Sequence, residues 1–439
     1  MRVTIRIMLA AATALMAASA PAASADVVAL AQKLGPGTDN IDLARVDLST
    51  GAFLQLPSSV NSSALWELHP SVTADGKRVV FERRSPDSTT DRIVMADLTT
   101  GETADLFNGF EVASTHPTSP SITPDGNLVL TGAPFDTFMG QPISEITQTD
   151  VTAFANGPYP HSTVKSALGF APDNTRDPVA GVPDQSPLVA FTRVSSDGQG
   201  RLVLAQFGGT ASTVLQGATM DLEHPAIGTP GGQPTVVFDE RPAAGGTRDI
   251  AFRPADTSSF SGTPTALTAV DTAASESRPA FTPDGRYLAF IRTGSDNHER
   301  VLLWDSQTQT ILNAPGADLG QISTSTLGSL SVYEQRVLSF TGITLTGLVN
   351  FNLLSSSGVG ILVQRVIGHH NLFGHTVPTL KLIGRVPFGK FAKGRRHAHW
   401  NFAVNGKRLQ RGTYQVTVRA VTPSLKIRDL GTPRIIHIH

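Results

Sequence analysis

One short pattern occurs three times in this sequence, and it restricts the possible folds more than any other feature. The pattern is Pro-x-φ-Thr-(Ala/Pro)-Asp-Gly, where x is any residue and φ is apolar, and an apolar run follows it. It occupies residues 70–81, 120–130 and 279–290. The Asp-Gly pair predicts a tight hairpin turn, and the apolar run predicts a strand buried on both faces. Each copy therefore predicts the same pair of strands.

Diverged copies extend this repeat along most of the chain. Units that start near residues 69, 116, 166, 224, 278 and 321 give a spacing of roughly 40–60 residues, which is typical of β-propeller blades. The first complete unit predicts four strands, at 70–73, 77–83, 92–97 and 102–107. In the third unit, residues 168–173 stand where the turn is expected.

The two ends of the repeat hold incomplete units. Residues 39–56 contain two outer strands without inner strands, and residues 320–333 contain an inner pair without outer strands. Together they complete one blade, which closes a ring and removes free sheet edges. We therefore predict an all-β fold, a six-bladed β-propeller over residues 26–333, or a seven-bladed one if residues 134–185 hide another blade.

The N-terminal residues predict export. Arg2 and Arg6 precede an apolar run over 7–20 and the small residues Ala23-Ser24-Ala25, which together predict a signal peptide over residues 1–25. The sequence has no cysteine, which excludes disulfides and thiolate metal sites. We expect a secreted or periplasmic protein that is soluble after cleavage, does not span a membrane and is a monomer.

The last hundred residues form a second predicted domain of opposite charge. Residues 334–439 hold 15 Lys and Arg against Glu334 and Asp429, a net charge of +13, whereas the preceding residues after Arg6 hold 18 basic and 34 acidic ones, a net charge of −16. Short strand patterns predict a small β-sandwich. They lie at 337–345, 348–354, 359–366, 380–386, 397–404, 412–421 and 435–439.

The repeat resembles the TolB-like, WD40-like (PD40) β-propeller repeats, and the resemblance covers about residues 39–333. It implies a binding or scaffolding module, although the same fold also serves prolyl oligopeptidases and lyases. The hydrolase motif Gly-x-Ser-x-Gly does not occur in this sequence. Residues 334–439 resemble FlgD-like bacterial immunoglobulin-like modules in the segments 395–400, 405–409 and 412–418, but Asn401 replaces the acid of that family.

Four residues are candidates for a binding site at the mouth of the propeller channel: His69, His116, His224 and Arg278. Three imidazoles there could hold a metal, as the resemblance to propeller lyases implies. Counting back from the turns weakens this hypothesis, because Ser119 and Arg278 occupy the position of His69, His116 lies three residues earlier and His224 is shifted by one. Hence we predict no cofactor, with a channel-mouth metal as the alternative.

A basic cluster in the second domain predicts contact with polyanions. Phe388, Phe391 and Trp400 lie among the basic residues and would suit sugar or lipid, although Trp400 alone fits a core position better. Export argues against nucleic acid and favours an anionic cell-wall polymer, phospholipid head groups or the acidic propeller itself as the partner. The cluster consists of Lys390, Lys393, Arg395, Arg396, Lys407, Arg408 and Arg411. The sequence thus predicts an exported, non-catalytic propeller that binds an envelope protein or an anionic cell-wall polymer. The alternative is a metal-dependent lyase or hydrolase acting on a polyanionic polysaccharide at the channel mouth.

Overall fold

The fold consists almost entirely of antiparallel β-sheet. The computed structural model describes residues 27–34, 40–48, 50–85, 91–106, 118–138, 141–151, 161–164, 174–180, 188–194, 198–206, 212–215, 219–282, 285–320, 330–334, 338–344, 346–353, 356–372, 375–421, 427–430 and 434–438. The predicted signal peptide lies outside these ranges. Among the described residues, no helix has the length and apolar character needed to cross a bilayer.

Six sheets, here called blades, are formed by residues 27 to 334. From the inner strand outward, blade 1 contains β25 (Leu330–Glu334), β1 (Val27–Leu34), β2 (Ile41–Asp47) and β3 (Ala52–Leu54), blade 2 contains β4 (Trp66–Val72), β5 (Arg78–Arg84), β6 (Asp91–Asp97) and β7 (Thr103–Asp105), and blade 3 contains β8 (Thr118–Ile122), β9 (Leu128–Phe138), β10 (Gln141–Asp150) and β11 (His161–Val164). Blade 4 contains β12 (Asn174–Ala180), β13 (Leu188–Val194), β14 (Gly200–Gln206) and β15 (Ser212–Leu215), and blade 5 contains β16 (Met220–Gly228), β17 (Thr235–Pro242), β18 (Asp249–Pro254) and β19 (Thr265–Ala266). Blade 6 contains β20 (Ser275–Phe281), β21 (Tyr287–Thr293), β22 (Glu299–Asp305) and β23 (Thr310–Ile311), with β24 (Ala317–Gly320) also paired to β22.

The inner strands contact one another in a closed circuit. Strand β4 contacts β8, which contacts β12, which contacts β16, which contacts β20, and β25 contacts both β20 and β4. Apolar clusters fill the spaces between adjacent blades, and one of them joins blade 6 to blade 1 through Ala289 and Val46. Sheets repeated around an axis in this way form a β-propeller. The predicted all-β propeller fold is confirmed.

The ring closes between the two ends of the repeat, but the division of strands differs from the prediction. Strand β25 pairs with β1, so the closing blade has one strand from the C-terminal end and three from the N-terminal end. Strand β1 was not predicted, because its run of buried apolar residues follows the signal peptide without a turn signal. The other inner strand, expected near 320–325, falls almost entirely outside the described residues; β24, which ends at Gly320, pairs with β22 of blade 6.

The predicted Asp-Gly turns owe their shape to side-chain hydrogen bonds and to glycine. In the first copy Thr73 Oγ1 donates to Asp75 Oδ1 at 2.7 Å, and the Gly76 amide donates to the Thr73 carbonyl at 2.9 Å. In the third copy, where Pro283 and Asp284 lie outside the described residues, Gly285 has a φ of +69°. A Cβ atom on Gly285 would lie 2.4 Å from the Pro230 nitrogen of blade 5. Gly285 is therefore required both by its backbone angle and by the close approach of the next blade.

The prediction for the third unit is wrong in register. Residues 168–173 were expected at the turn, but the inner strand β12 begins only at Asn174. Residues 168–173 lie outside the described ranges and precede β12, so the Ala-Pro-Asp sequence at 171–173 is not the connection that follows this inner strand.

Residues 338 to 438 form two packed sheets, here called the C-terminal module. One sheet contains β26 (Leu338–Ile343), β27 (Leu348–Leu353) and β30 (Gly394–His399), and the other contains β28 (Ser357–Leu372), β29 (His375–Phe391), β33 (Gly412–Val421), β34 (Ile427–Leu430) and β35 (Arg434–Ile438). A small hairpin is formed by β31 (Ala403–Val404) and β32 (Lys407–Arg408). All seven predicted strands are present, with β28 and β29 longer than expected. The assignment as an immunoglobulin-like module stays a prediction.

The aromatic residues near the basic cluster belong to the core of the C-terminal module to different degrees. Trp400 is fully buried, as expected for this residue, and its indole Nε1 donates to the Ala403 carbonyl at 2.9 Å. Phe388 and Phe391 are partly buried against the same core, and the Phe391 ring meets Phe351 edge to face at 5.2 Å. A sugar-binding surface that includes Phe388 and Phe391 stays a prediction. Burial on the inner faces of two sheets explains their spacing.

Candidate functional site

Five residues on consecutive inner strands share an unusual backbone conformation. Each has a φ angle between +48° and +52°, precedes a proline and lies in a β-bulge. They are His69, Ser119, Asp177, His224 and Arg278, one from each of blades 2 to 6. Left-handed backbone is uncommon outside glycine and is concentrated at functional sites. We call these five residues the bulge ring.

The bulge ring contains three of the four residues predicted for the channel mouth: His69, His224 and Arg278. The fourth, His116, lies outside the described residues, and Ser119 occupies the equivalent position in blade 3, as predicted. The shift predicted for His224 is wrong. The connection after its strand is one residue longer, because a 3-10 helix, Pro230–Gly232, replaces the Asp-Gly turn, so counting back from the turn gives the wrong register.

Sequence reasoning missed Asp177, the bulge residue of blade 4. The error in the register of the third unit moved the expected inner strand away from it. A usable signal was present, since Asp177 precedes Pro178 just as each other bulge residue precedes a proline. Asp177 belongs to the same site, because its Oδ2 lies 4.0 Å from Nε2 of His224.

In blade 2 a buried carboxylate holds His69. Oε2 of Glu82 lies 2.9 Å from His69 Nδ1, and Arg84 also contacts this carboxylate. Burial tends to raise the pKa of Glu82, but the hydrogen bond and charge of His69, together with Arg84, keep it below its ordinary value. A hydrogen bond on Nδ1 fixes the orientation of the imidazole ring. Within the described part of the chain, Nε2 of His69 has no hydrogen-bond partner.

In blade 5 the equivalent carboxylate, Asp239, is part of a larger network. Its Oδ2 lies 2.8 Å from His224 Nδ1, and its Oδ1 contacts the Arg248 guanidinium. The same guanidinium contacts Glu223 and lies 3.3 Å from Asp221 Oδ2. Burial would raise the pKa of Asp239, but His224 and Arg248 hold it well below its usual range. Asp239 is therefore a permanent anion at neutral pH.

This network bears on the predicted metal site. Glu223, His224 and Asp239 each offer one ligand atom, and these atoms lie within 4.8 Å of one another, a spacing that a metal ion could bridge. The Arg248 guanidinium, however, contacts two of the three ligands. A cation entering this group would have to displace Arg248 or accept its repulsion. The charge of the site is thus already balanced by the protein itself.

Arg278 is the most deeply buried of the charged residues in the ring. It is only 4% exposed, and among the described residues neither Nε nor Nη1 of its guanidinium has a hydrogen-bond partner. Burial lowers its pKa to about 10, while the charges of Glu299, Asp239 and Asp177 act in the opposite direction. Buried guanidinium groups without acceptors are costly. Arg278 therefore offers two unused donors inside the ring.

Backbone amides of the ring bind side chains of the preceding blade. The amide of His69 donates to Gln32 Oε1 at 3.2 Å, and the amide of Arg278 donates to Asp239 Oδ2 at 2.9 Å. Ser119 makes the same contact with Glu82, at 3.4 Å. In these three bulges the left-handed amide is satisfied by the preceding blade, so the bulge is part of the blade-to-blade contact. The residues that accept these bonds could not be found from sequence because they lie on another blade, and Arg248 could not because its acidic partners lie on other strands of blade 5.

In the C-terminal module the structure divides the predicted basic cluster into two groups. Lys390 pairs with Gly358, which in turn pairs with Val421 at the end of β33, whereas Arg411 immediately precedes Gly412 at the start of that strand. A strand of ten residues is about 30 Å long. Hence Lys390 of the first group and Arg411 of the second are separated by about the length of the module. The first group is Lys390, Lys393, Arg395 and Arg396, and the second is Lys407, Arg408 and Arg411.

The two basic groups are exposed, but one of their members has a structural role. The Arg396 guanidinium donates to the carbonyls of Ala392, Arg395 and Lys393 at 2.8 to 3.1 Å, which fastens the turn between β29 and β30. Arg395 lies on the outward face of β30 together with His397 and His399. Among the described residues, none of the seven basic side chains forms an ion pair with a carboxylate.

Comparison with known proteins gives structural similarity only. No family model matches the chain, and no curated protein matches it. Solved structures that are similar include TolB from Acinetobacter baumannii (17% identity, TM-score 0.48, 70% of this chain and 66% of that one). Others are hydrazine synthase from Kuenenia stuttgartiensis (9%, 0.48, 95% and 68%) and an oligogalacturonate lyase in complex with manganese (12%, 0.44, 66% and 78%). The chain thus spans just under two thirds of the Acinetobacter TolB. Such identities concern the fold and carry no argument about function.

Proposed function

We propose that this protein is an exported, non-catalytic binding protein of the cell envelope that holds a partner protein at the bulge ring. The observation that carries the proposal is the ring itself, in which the inner strand of each of five blades has a strained left-handed residue at the equivalent position. Two half-buried imidazoles, the carboxylate of Asp177 and the unused donors of Arg278 offer both donors and acceptors. An extended peptide segment, which carries both kinds of group along its backbone, matches this chemistry.

The ring is tested by partner capture with matched histidine variants. Mature protein is immobilised and exposed to the envelope fraction of its host, and retained proteins are compared for wild type and for His69→Gln with His224→Gln. The control is His298→Gln, since Nδ1 of His298 also contacts a carboxylate, Asp318, at 3.1 Å, but on the outer part of blade 6. We expect the double variant alone to lose the partner. Equal retention by all three proteins would exclude the ring as the binding site.

The proposal includes a second contact, between the basic C-terminal module and an anionic cell-wall polymer. The observations that support it are the net charge of +13 and the exposed basic groups at both ends of the module. Attraction between exposed charges is screened within about 10 Å at 0.1 M ionic strength. Polygalacturonate, used as a soluble polyanion, should therefore bind the mature chain at low salt and dissociate as salt rises. Binding that is insensitive to salt would contradict this part of the proposal.

The second candidate function is metal-dependent cleavage of a polyanionic polysaccharide. The group formed by Glu223, His224 and Asp239 favours it, and the position of Arg248 in that group opposes it. The same polymer separates the two functions. Polygalacturonate that is bound but not shortened after addition of Mn²⁺ or Ca²⁺ supports the binding function, whereas a falling chain length that depends on His224 establishes the enzyme.

A further inference from the structure

A second group of carboxylates lies at the junction of blades 5 and 6, apart from the bulge ring. Asp249 is the first residue of β18, Glu276 is the second residue of β20, and Asp271 lies in the loop before β20. One carboxylate oxygen from each lies within 4.8 Å of those of the other two. We call these three residues the acidic junction.

The backbone around the acidic junction is held in place by hydrogen bonds. The Glu276 amide donates to the Arg248 carbonyl at 2.8 Å, and the Arg248 amide donates to Ser275 Oγ at 3.1 Å. In the loop, the Val270 carbonyl accepts from Arg292 Nη2 at 2.8 Å. Both blades are thus fixed next to the carboxylates. The arrangement is organised before any ligand arrives.

The carboxylates of the acidic junction are not satisfied by the protein. Glu276 is fully buried; its Oε1 accepts from Arg292 and Thr272, but its Oε2 has no hydrogen-bond partner. In the part of the chain that the structure describes, the side chains of Asp249 and Asp271 have neither a hydrogen bond nor an ion pair. A buried carboxylate oxygen without a donor costs free energy that a bound cation would recover.

The charge of the acidic junction is also uncompensated. Three carboxylates face one guanidinium, that of Arg292, which leaves a charge of about −2. Burial raises the pKa of Asp249, and the charge of Asp271 raises it further. Burial likewise raises the pKa of Glu276, against the hydrogen bonds of Thr272 and Arg292 and with the help of Asp249. Like charges held together in this way are stabilised by a divalent cation.

We propose that the acidic junction is a Ca²⁺ site that fixes the start of β20. Ca²⁺ prefers carboxylate oxygens at about 2.3–2.6 Å, so two ligands on opposite sides of the ion are about 5 Å apart, close to the spacing observed. The site differs from the group around His224, where Arg248 supplies the positive charge. Because Glu276 is two residues from Arg278, Ca²⁺ would also stabilise one strand of the bulge ring. The proposal does not depend on what the ring binds.

The test measures the thermal midpoint of the chelator-treated mature protein as Ca²⁺ is added. We expect the midpoint to rise by about 2 °C or more by 10 mM Ca²⁺, since exported modules bind Ca²⁺ with dissociation constants of about 10⁻⁴–10⁻³ M. Calorimetric titration should give one site per chain. A wild-type midpoint that does not respond to Ca²⁺ would overturn the proposal.

Asparagine variants separate this site from general effects of charge. Asp249→Asn and Asp271→Asn should lose the response to Ca²⁺, yet melt at or above the wild-type temperature in chelator because carboxylate repulsion is relieved. The matched control is Asp42→Asn in blade 1, where burial also raises the pKa of a carboxyl. This control should keep the full response. A response retained by Asp249→Asn would place Ca²⁺ elsewhere.

Discussion

In the propeller, the side chain of Arg248 beside the bulge ring is largely buried and paired with carboxylates, whereas in the C-terminal module Lys393 and Arg395 are exposed and, among the described residues, form no ion pair with a carboxylate. Arg248 contacts three acids inside blade 5, while Arg395 stands on the outer face of a sheet. Buried charges are costly to unpair, but exposed ones contribute little to stability. The comparison teaches that charged side chains stabilise the fold of the propeller, whereas those of the module are available to bind other molecules.

The largest expected effect is on the propeller and follows from removing Arg248. Arg248→Gln leaves the buried Glu223 and Asp239 without this cation, while Asp221 keeps its ion pair with Arg241, and breaking such a network costs about 3–5 kcal/mol. Urea unfolding of the mature protein measures the loss. The control is Arg300→Gln, whose ion pair with Asp296 is at the surface and should contribute far less to stability. Equal losses would contradict the distinction between buried and exposed charge.

The next effect compares two glycines with similar backbone angles. Gly285→Ala places a Cβ atom against the backbone of blade 5 in addition to straining φ, so we expect a loss of about 2–4 kcal/mol. Gly406 of the module, with φ at +77°, has no atom within 4 Å of such a Cβ, and Gly406→Ala should cost about 1 kcal/mol. Thermal unfolding distinguishes them. Similar thermal midpoints would show that the backbone of blade 5 can shift to accommodate a Cβ atom at position 285.

The third effect is on the pH dependence of the propeller's stability and concerns a buried acid, Glu67. Burial raises the pKa of Glu67 to about 7, although Arg83 opposes the shift. Because the folded pKa is above the unfolded one, the stability that Glu67 provides is complete below about pH 4.5 and is lost as pH rises to about 7. As pH rises from 5 to 8, the free energy of unfolding of Glu67→Gln in urea should increase by up to about 3 kcal/mol relative to that of the wild type. A difference that does not vary with pH would contradict the raised pKa.

The smallest effect on stability is expected in the module, where binding should change instead. Lys393→Ser with Arg395→Ser should alter unfolding by less than about 0.5 kcal/mol but weaken the binding of polygalacturonate at low salt. Arg396→Ser is the contrasting variant, since it removes three hydrogen bonds to the turn and should cost about 1 kcal/mol. If Lys393→Ser with Arg395→Ser unfolds the module, the exposed charges have a structural role after all.

The parts of the fold that could be predicted from sequence are those with a local signal. The Thr, Asp and Gly of the turn form hydrogen bonds within a few residues, so the blades around Gly76, Gly126 and Gly285 were found. Blade 4 was misplaced because residues 171–173 imitate the turn, and β1 was missed because nothing local marks it. Arg248 was missed for another reason: its partners lie on other strands, and the sequence around Arg248 contains no pattern that predicts these contacts.

The module shows the same limit in another form. Its strands could be located from alternation and turns, but the seven basic residues were treated as one cluster because they are close in sequence. The register of β28, β29 and β33 places Lys390 and Arg411 at opposite ends of a ten-residue strand. Distances along a chain say little about distances across a sheet. The same register also explains why Phe391 and Trp400 face inward while Arg395 faces outward.

The pairing of β25 with β1 fixes an order of events during synthesis of the chain. Strand β1 is made first, and the strand that covers its inner edge is made roughly 300 residues later. Until then five blades can assemble, but the first keeps an open edge that can pair with another chain. The C-terminal module begins only a few residues after β25, so the ring closes as the module emerges. A nascent or truncated chain that ends before Leu330 is therefore the species most exposed to aggregation.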